Sequence, residues 1–259
     1  FFYLLLMSTS QHFKPEEEYL KNNCPDERKF QSPINIIKCD TTKTKFPALQ
    51  LENLNSSADV TITNTGYTLK STQAQYASIR GGPLRNVYNF VELHFHWGST
   101  DNIGSEHQID SEIFSMEGHF VFSRSYEINI SIAKLEKMRK LYYYSKCIEL
   151  NPSYGDCNID TNDINDCTNN EIQSTEPCDV EAETERRTEQ IAARNAGNQF
   201  ISWLEKKEPN GDPCQKFESN RPYSEYAVQF SKQTVTVNVV LGVLFVASRR
   251  GVKYDLLER

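Results

Sequence analysis

The clearest pattern along the chain is a strict alternation of apolar and polar residues in the segment Val91–Trp97. A period of two is typical of a half-buried β-strand, so Glu92, His94 and His96 are expected on one face, with the intervening apolar side chains on the other. The segment Phe114–Phe122 has a similar pattern and predicts a second strand. Two imidazoles on one strand face can converge on a single ion, and pairing of the two strands would add a third.

The second strand carries Glu117 and His119 on one face, and pairing would bring His119 to His94 and His96. Three neutral histidines without a cysteine describe a catalytic zinc site, because they leave a fourth tetrahedral position for water. Glu92 and Glu117 each precede a histidine by two residues, where each could accept a ring N–H and fix the tautomer. A His-x-His pair alone on a strand more often consists of ordinary surface or core residues than of metal ligands. The prediction of a metal site therefore depends on the surrounding sequence.

Further elements follow from the periodicity of the rest of the chain. Strand-like runs are predicted at Val60–Thr63, Gly66–Lys70, Val87–Trp97 and Val239–Phe245. Helices are predicted at Ala133–Lys146 and at Asp179–Glu208, where a Pro-Asn-Gly sequence ends the second one. Leu135, Met138 and Leu141 recur at helical spacing, and core packing is their simplest role.

Composition and charge narrow the class of protein only a little. The 259 residues, 38% hydrophobic and 24% charged, are ordinary for globular proteins and allow one large domain or two small ones. The net charge of -7 argues against nucleic acid as a partner. The apolar start Phe1–Met7 is too short to span a membrane, and it is either the remnant of a signal peptide or an ordinary buried segment.

Five motifs occur in the order in which one known family has them. They are Gln31–Ile36, Gly81–Leu84, Leu93–Gly98, Gly104–His107 and Met116–His119. Together they resemble the α-class carbonic anhydrases, and the late strand Val239–Phe245 resembles that family more weakly. The resemblance implies a mostly β fold of the α+β class, in which a large central twisted sheet is flanked by peripheral helices.

The resemblance also assigns roles to residues of the expected site. It implies that His94, His96 and His119 hold one Zn²⁺ for the reversible hydration of carbon dioxide to bicarbonate. Glu106 would match the buried acid that, in the family, orients a threonine hydroxyl at the metal. Tyr67 stands where the family often has a proton-carrying histidine, and an ordinary phenol, which titrates near pH ~10, would carry protons slowly.

The resemblance covers the chain unevenly and implies three parts. Residues 31–126 and 231–259 would form a partial carbonic anhydrase-like domain, residues 127–230 an insertion, and residues 1–30 an N-terminal segment. The late Thr-Thr-Pro-Pro segment of the family does not occur, so the sequence is expected to be a fragment that is incomplete at its C-terminus. The alternative is a catalytically impaired matrix or binding protein that keeps the fold.

The predicted insertion contains a strongly acidic, Asn-rich stretch. From Asp156 to Glu189 there are eleven acidic and two basic residues, a net of -9. Such an oxygen-rich loop could collect Ca²⁺ weakly, in the roughly millimolar range of extracellular modules, and a merely solvated loop is the alternative. The candidate calcium ligands are Asp156, Asn158, Asp160, Asp163 and Asp166.

The seven cysteines indicate an oxidising compartment. Four of them follow one another at intervals of about ten residues in or beside the acidic loop: Cys147, Cys157, Cys167 and Cys178. The alternative is that they are free thiols of a cytosolic protein. Because the number of cysteines is odd, one is left without a partner in the same chain and could link two chains into a disulfide-linked homo-oligomer. The resemblance implies a disulfide for Cys24 with a late cysteine of the family. Asn55 and Asn129 match the N-glycosylation pattern, which permits secretion.

A carbonic anhydrase-like domain interrupted by an acidic, Asn-rich insertion resembles nacrein and the nacrein-like proteins of mollusc shell matrix. Those proteins carry Gly-x-Asn repeats after the strand that resembles Val239–Phe245, whereas this insertion precedes that strand and lacks the repeat. The resemblance implies a secreted glycoprotein of the extracellular matrix that serves calcium carbonate biomineralisation. Its expected partners are carbon dioxide, bicarbonate, calcium carbonate and the shell matrix, without nucleic acid or a membrane span.

Overall fold

The computed structural model describes residues 2–9, 32–54, 59–73, 77–152, 180–218 and 223–247. The strands in these ranges are β1 Phe2–Thr9, β2 Asn35–Ile36, β3 Leu49–Glu52, β4 Val60–Asn64, β5 Leu69–Gln73, β6 Ser78–Gly81, β7 Leu84–Trp97, β8 Gln108–Ile109, β9 Glu112–Ile113, β10 Met116–Asn129 and β11 Lys232–Phe245. The helices are α1 Ile132–Leu150, α2 Val180–Lys207, α3 Pro213–Glu218 and α4 Ser224–Ser231.

The chain divides into two compact units. One comprises residues 1–124 and 236–259, and the other comprises residues 125–235. The assignment of residues 31–126 with 231–259 and of residues 127–230 to separate domains stays a prediction. Within the described residues, no helix combines the length and the apolar character that a membrane crossing requires.

A large sheet dominates the first unit, as predicted for the fold class. Its strands follow the order β1-β11-β10-β7-β5-β4, and β6 joins β7 to β3. The pairs β1–β11, β10–β7, β5–β7 and β6–β7 are antiparallel. The mostly antiparallel central sheet with additional helices confirms the predicted α+β fold.

The register of β7 against its neighbours aligns the polar face that the sequence predicts. His119 of β10 lies directly opposite His94 of β7, and Glu117 lies opposite His96. On the other side of β7, Lys70 of β5 also lies opposite His94. Directly opposed residues of an antiparallel pair project on the same face, so three strands contribute to one polar row.

The opening apolar segment forms β1, whose residues Phe2–Thr9 pair with β11. The predicted strand Gly66–Lys70 is wrong at its start, because β5 begins at Leu69. Gly66 adopts a φ of 88°, and its amide donates to the Asn64 side chain at 2.9 Å, which closes a turn before the strand. This left-handed conformation is incompatible with an extended strand.

A tightly bonded loop precedes β10 and carries two residues of the candidate site. The amides of Gly104 and Ser105 both donate to the Phe114 carbonyl at 2.9 Å. A Cβ on Gly104 would lie 1.8 Å from the Ser115 carbonyl oxygen, so only glycine permits this close approach. The Ser105 hydroxyl donates to the His107 carbonyl at 2.7 Å, which fixes the following residues.

The second unit is largely helical and has its own apolar core. Both predicted helices are confirmed as α1 and α2, and Leu135 is fully buried. Met138 and Leu141 are half-buried. The buried core cluster consists of Ile130, Leu135, Ala193, Ala196, Phe200, Leu204, Tyr223 and Ala227. The Ser131 hydroxyl caps α1 by accepting from the Lys134 amide at 3.2 Å.

A disulfide between Cys147 and Cys214 connects α1 to α3. The sequence singled out Cys147 but not this partner, which follows 67 residues later. Cys39 is an exposed free cysteine. Four other predictions fall outside the described residues: those for Cys24, Cys157, Cys167 and Cys178. The same holds for the candidate calcium ligands and for Asn55, whereas Asn129 is exposed at the end of β10.

Candidate metal centre

Three histidines of the large sheet meet on one face. His94 and His96 come from β7, and His119 comes from β10. Their candidate ligand nitrogens all lie within 4.8 Å of one another. His94 Nε2 and His119 Nδ1 are 3.3 Å apart. Nitrogens bound tetrahedrally to zinc at about 2.0–2.1 Å are separated by about 3.3 Å, so this spacing fits a zinc ion.

Two carboxylates determine which nitrogens of these rings carry protons. Glu92 Oε1 lies 3.1 Å from His94 Nδ1, and Glu117 Oε1 lies 2.6 Å from His119 Nε2. A carboxylate can only accept, so each ring donates its N–H there and leaves a lone pair on its other nitrogen. Those two other nitrogens are the ones that face each other. They cannot hydrogen-bond to each other in these tautomers, and a metal ion between them would satisfy both lone pairs.

His96 supplies a third free nitrogen. Its Nε2 is buried and has no hydrogen-bond partner among the described residues. Its Nδ1 lies 3.3 Å from Glu106 Oε1, so a carboxylate neighbours each of the three rings. The Glu106 side chain is 40% exposed, which differs from the buried acid that the resemblance implies. It lies in the loop before β8, where its carboxylate faces His96.

Burial keeps the rings of His94 and His96 neutral. Burial, reinforced by the neighbouring His119, lowers the pKa of His96 to about 4. Burial also lowers the pKa of His94, and its neighbours His119 and His96 add to this effect. A neutral imidazole is the form that binds a metal, so both residues are in the ligating state at neutral pH.

Glu117 is the most completely bonded residue of the centre, and its side chain is fully buried. Its Oε2 accepts from the amides of Glu106 at 2.9 Å and His107 at 2.8 Å. Its Oε1 accepts from His107 Nδ1 at 2.7 Å as well as from His119. Burial raises the pKa of Glu117, but the hydrogen bonds from His107 and His119 together hold it well below its usual range. Glu117 is therefore a carboxylate that fixes both rings.

His107, Glu117 and His119 form a second group whose atoms could also hold a metal. The atoms of this group that face one another already hydrogen-bond to one another, because His107 Nδ1 and His119 Nε2 both donate to Glu117. His107 Nε2 is buried and has no hydrogen-bond partner among the described residues. The group in which each of the three residues contributes a ring nitrogen with a free lone pair is His94, His96 and His119. The sequence did not identify His107 as a partner, because it lies in a loop without periodicity.

Two further residues bear on the site: Lys70, which contacts Glu92, and Tyr67, which the resemblance places at the position of the usual proton carrier. Lys70 forms an ion pair with Glu92, a contact that the sequence did not indicate. Tyr67 occupies the turn before β5, and its side chain is 95% exposed, so it is not packed into the histidine cluster. The hydroxyl of the adjacent Thr68 donates to the Phe95 carbonyl at 2.6 Å, which fastens this turn to β7.

The fold and the site define a domain with a large, mostly antiparallel sheet and three histidines that could hold a metal ion. The family model for eukaryotic-type carbonic anhydrases matches residues 14–181, and the chain belongs to this family. The chain is 36% identical over 96 residues to carbonic anhydrase 7 of Homo sapiens, which covers 35% of this chain and 36% of that protein.

Other relatives give the same result. Carbonic anhydrase 1 of Oryctolagus cuniculus is 31% identical over 131 residues, or 47% of this chain and 54% of that protein. A putative carbonic anhydrase 5 of Caenorhabditis elegans is 32% identical over 118 residues, or 41% of this chain and 38% of that protein. The chain thus spans between about a third and about a half of the length of these relatives.

Proposed function

We propose that the chain catalyses the reversible hydration of carbon dioxide to bicarbonate with one zinc ion as cofactor. The observation that carries this proposal is the pair of free nitrogens, His94 Nε2 and His119 Nδ1, that face each other at 3.3 Å. His96 Nε2 would complete the set of protein ligands. Bound zinc would act as a Lewis acid that lowers the pKa of water to about 7.

The residues around the histidines have positioning roles in this proposal. Glu92 holds the tautomer of His94, and Glu117 holds that of His119. Glu106 orients the His96 ring through the 3.3 Å contact with its Nδ1. The additional role that the resemblance implies for Glu106, orienting a threonine hydroxyl, stays a prediction. Tyr67, at the place of the usual proton carrier, is proposed to make proton release slow.

A stopped-flow measurement of carbon dioxide hydration tests the proposal directly. The zinc-loaded chain should contain one zinc per chain and accelerate hydration well above the uncatalysed rate. Metal-stripped chain should be inactive, and added zinc should restore the rate. A chain that binds one zinc but leaves hydration at background would favour the alternative of a matrix or binding protein without turnover.

We propose further that the protein is a secreted glycoprotein of an extracellular, nacrein-like matrix that serves calcium carbonate mineralisation. The disulfide between Cys147 and Cys214 supports an oxidising compartment. The exposed Asn129 is accessible for N-glycosylation, and Asn55 has the same sequence pattern. Bicarbonate made beside a segment that collects calcium would supply both components of the mineral.

The acidic segment is proposed to bind Ca²⁺ weakly, with dissociation constants of roughly 10⁻⁴–10⁻³ M. Its four candidate aspartates are Asp156, Asp160, Asp163 and Asp166. A variant in which asparagine replaces all four should lose most of this calcium binding. A matched variant loses the same charge from exposed acids elsewhere: Asp101, Glu112, Glu127 and Glu225. Equilibrium dialysis with ⁴⁵Ca²⁺ should separate the two variants. Equal calcium binding by the two variants would contradict the proposal.

A further inference from the structure

A lysine, Lys70, lies next to the three histidines on the face of the sheet where they meet. Lys70 of β5 is directly opposite His94 of β7, which in turn is directly opposite His119 of β10. Directly opposed side chains in antiparallel strands share a face and lie close together. The register therefore fixes Lys70 beside the candidate metal ligands.

The two oxygens of Glu92 have different partners in this row. Oε1 lies 3.1 Å from His94 Nδ1, and Oε2 forms an ion pair with Lys70 Nζ. The Glu92 side chain is only 14% exposed, and that of Lys70 is 33% exposed. The carboxylate thus bridges the ammonium and the imidazole in a largely desolvated position.

Two of the carboxylates beside the triad, those of Glu117 and Glu92, are held in place by different kinds of contact. Two backbone amides donate to one oxygen of Glu117, which leaves the other to accept from the rings of His107 and His119. In Glu92, Lys70 contacts Oε2, the oxygen that His94 does not contact. A partly buried carboxylate without a partner for this oxygen would pay a desolvation cost and would favour rotamers that reach water. In those rotamers His94 would lose the acceptor that keeps the proton on its Nδ1.

We propose that Lys70 is a positioning residue of the metal centre, which holds Glu92 against His94 and thereby keeps the His94 Nε2 lone pair directed at the ion. This inference rests on the proposed zinc site. It assigns Lys70 no contact with the substrate. Its effect has to pass through Glu92, and this dependence makes it testable.

Replacing Lys70 by methionine should weaken zinc binding about tenfold, at the lower end of the loss for an outer partner of a ligating histidine. Lys70→Arg keeps the charge and should bind zinc within about twofold of the wild-type chain. Arg80→Met is the matched control, because Arg80 forms an exposed ion pair with Glu52 at 2.7 Å elsewhere in the same sheet. Competition with a chromogenic chelator measures all four affinities.

A double-mutant cycle identifies the route of the effect. Glu92→Gln should itself weaken zinc binding, and Lys70→Met should cause no further loss when Glu92 is already glutamine. Equal losses from Lys70→Met in both backgrounds would overturn the proposal, because Lys70 would then act independently of Glu92. Thermal unfolding of each metal-free variant checks that the sheet is intact, and Lys70→Arg gives a second readout if Lys70→Met unfolds.

A measurement without metal gives an independent readout. ¹⁵N NMR of the imidazoles in the metal-free chain should find His94 with its proton on Nδ1, and Lys70→Met should give a mixture of tautomers. An unchanged tautomer together with unchanged zinc affinity in Lys70→Met would overturn this inference and leave the proposed function intact. A wild-type chain that binds no zinc would overturn both.

Discussion

Replacing His94 by alanine should weaken zinc binding about 100- to 1000-fold and reduce carbon dioxide hydration to background. Zinc binding by four protein ligands contributes about 10–16 kcal/mol in small peptides, so one ligand corresponds to about 2.5–4 kcal/mol. His94 is central in this site, because it lies between His119 and Lys70 in the strand register. Its loss removes one of the two facing nitrogens.

The control for this variant is Asn89→Ala, which changes an exposed residue of the same strand. Zinc content after dialysis against a chelator and the stopped-flow hydration rate should both be close to wild type in the control. His94→Ala with full zinc content and full activity would show that the histidine triad is not the catalytic centre. The second group, His107, Glu117 and His119, would then become the candidate.

The sequence predicted the centre of the fold because alternation is a local signal. The period of two in Val91–Trp97 placed His94 and His96 on one face without knowledge of any neighbour. The pairing with the strand of His119 was stated as a condition, and support for it came from the resemblance to the α-class carbonic anhydrases, which implies that the three histidines hold one metal ion. The structure confirms that pairing, with His119 opposite His94.

The residues that the sequence missed depend on contacts between distant parts of the chain. Lys70 looked like an ordinary polar position of a short strand, and its role depends on the register of β5 against β7. His107 lies in a loop, where no periodicity indicates the direction of a side chain. Cys214 is 67 residues from Cys147, and spacing along the chain does not identify which cysteines meet. Burial of Glu106 was implied by resemblance, and the local loop exposes it instead.

The three carboxylates beside the histidine triad differ in the number of structural elements that each one connects. Glu92 and Glu106 contact one ring each, from a strand and from a loop. Glu117 joins the sheet to that loop, because it accepts from two loop amides and from rings of both elements. A change at Glu117 should therefore affect folding and metal binding together, which the other two carboxylates should not do to the same extent.

Replacing Glu117 by glutamine should lower the free energy of unfolding by roughly 2–6 kcal/mol. The carboxylate accepts four hydrogen bonds, two on each oxygen, in a fully buried position. Glutamine has one oxygen and one NH₂ group, so either orientation places a donor against two N–H donors. Each buried hydrogen bond left unmade costs about 1–3 kcal/mol. Urea unfolding of the metal-free chain, followed by circular dichroism, measures the loss.

The same substitution should weaken zinc binding about 10- to 100-fold. An NH₂ group in the place of Oε1 forces His119 to accept at Nε2, which moves its proton to Nδ1 and removes the lone pair that faces His94. An NH₂ group in the place of Oε2 instead releases the amides of Glu106 and His107, which loosens the loop. Glu127→Gln, at an exposed position of the same strand, is the control and should change neither quantity. Wild-type stability with weakened zinc binding would mean that the loop amides find another acceptor, and wild-type values of both would contradict the assigned role of Glu117.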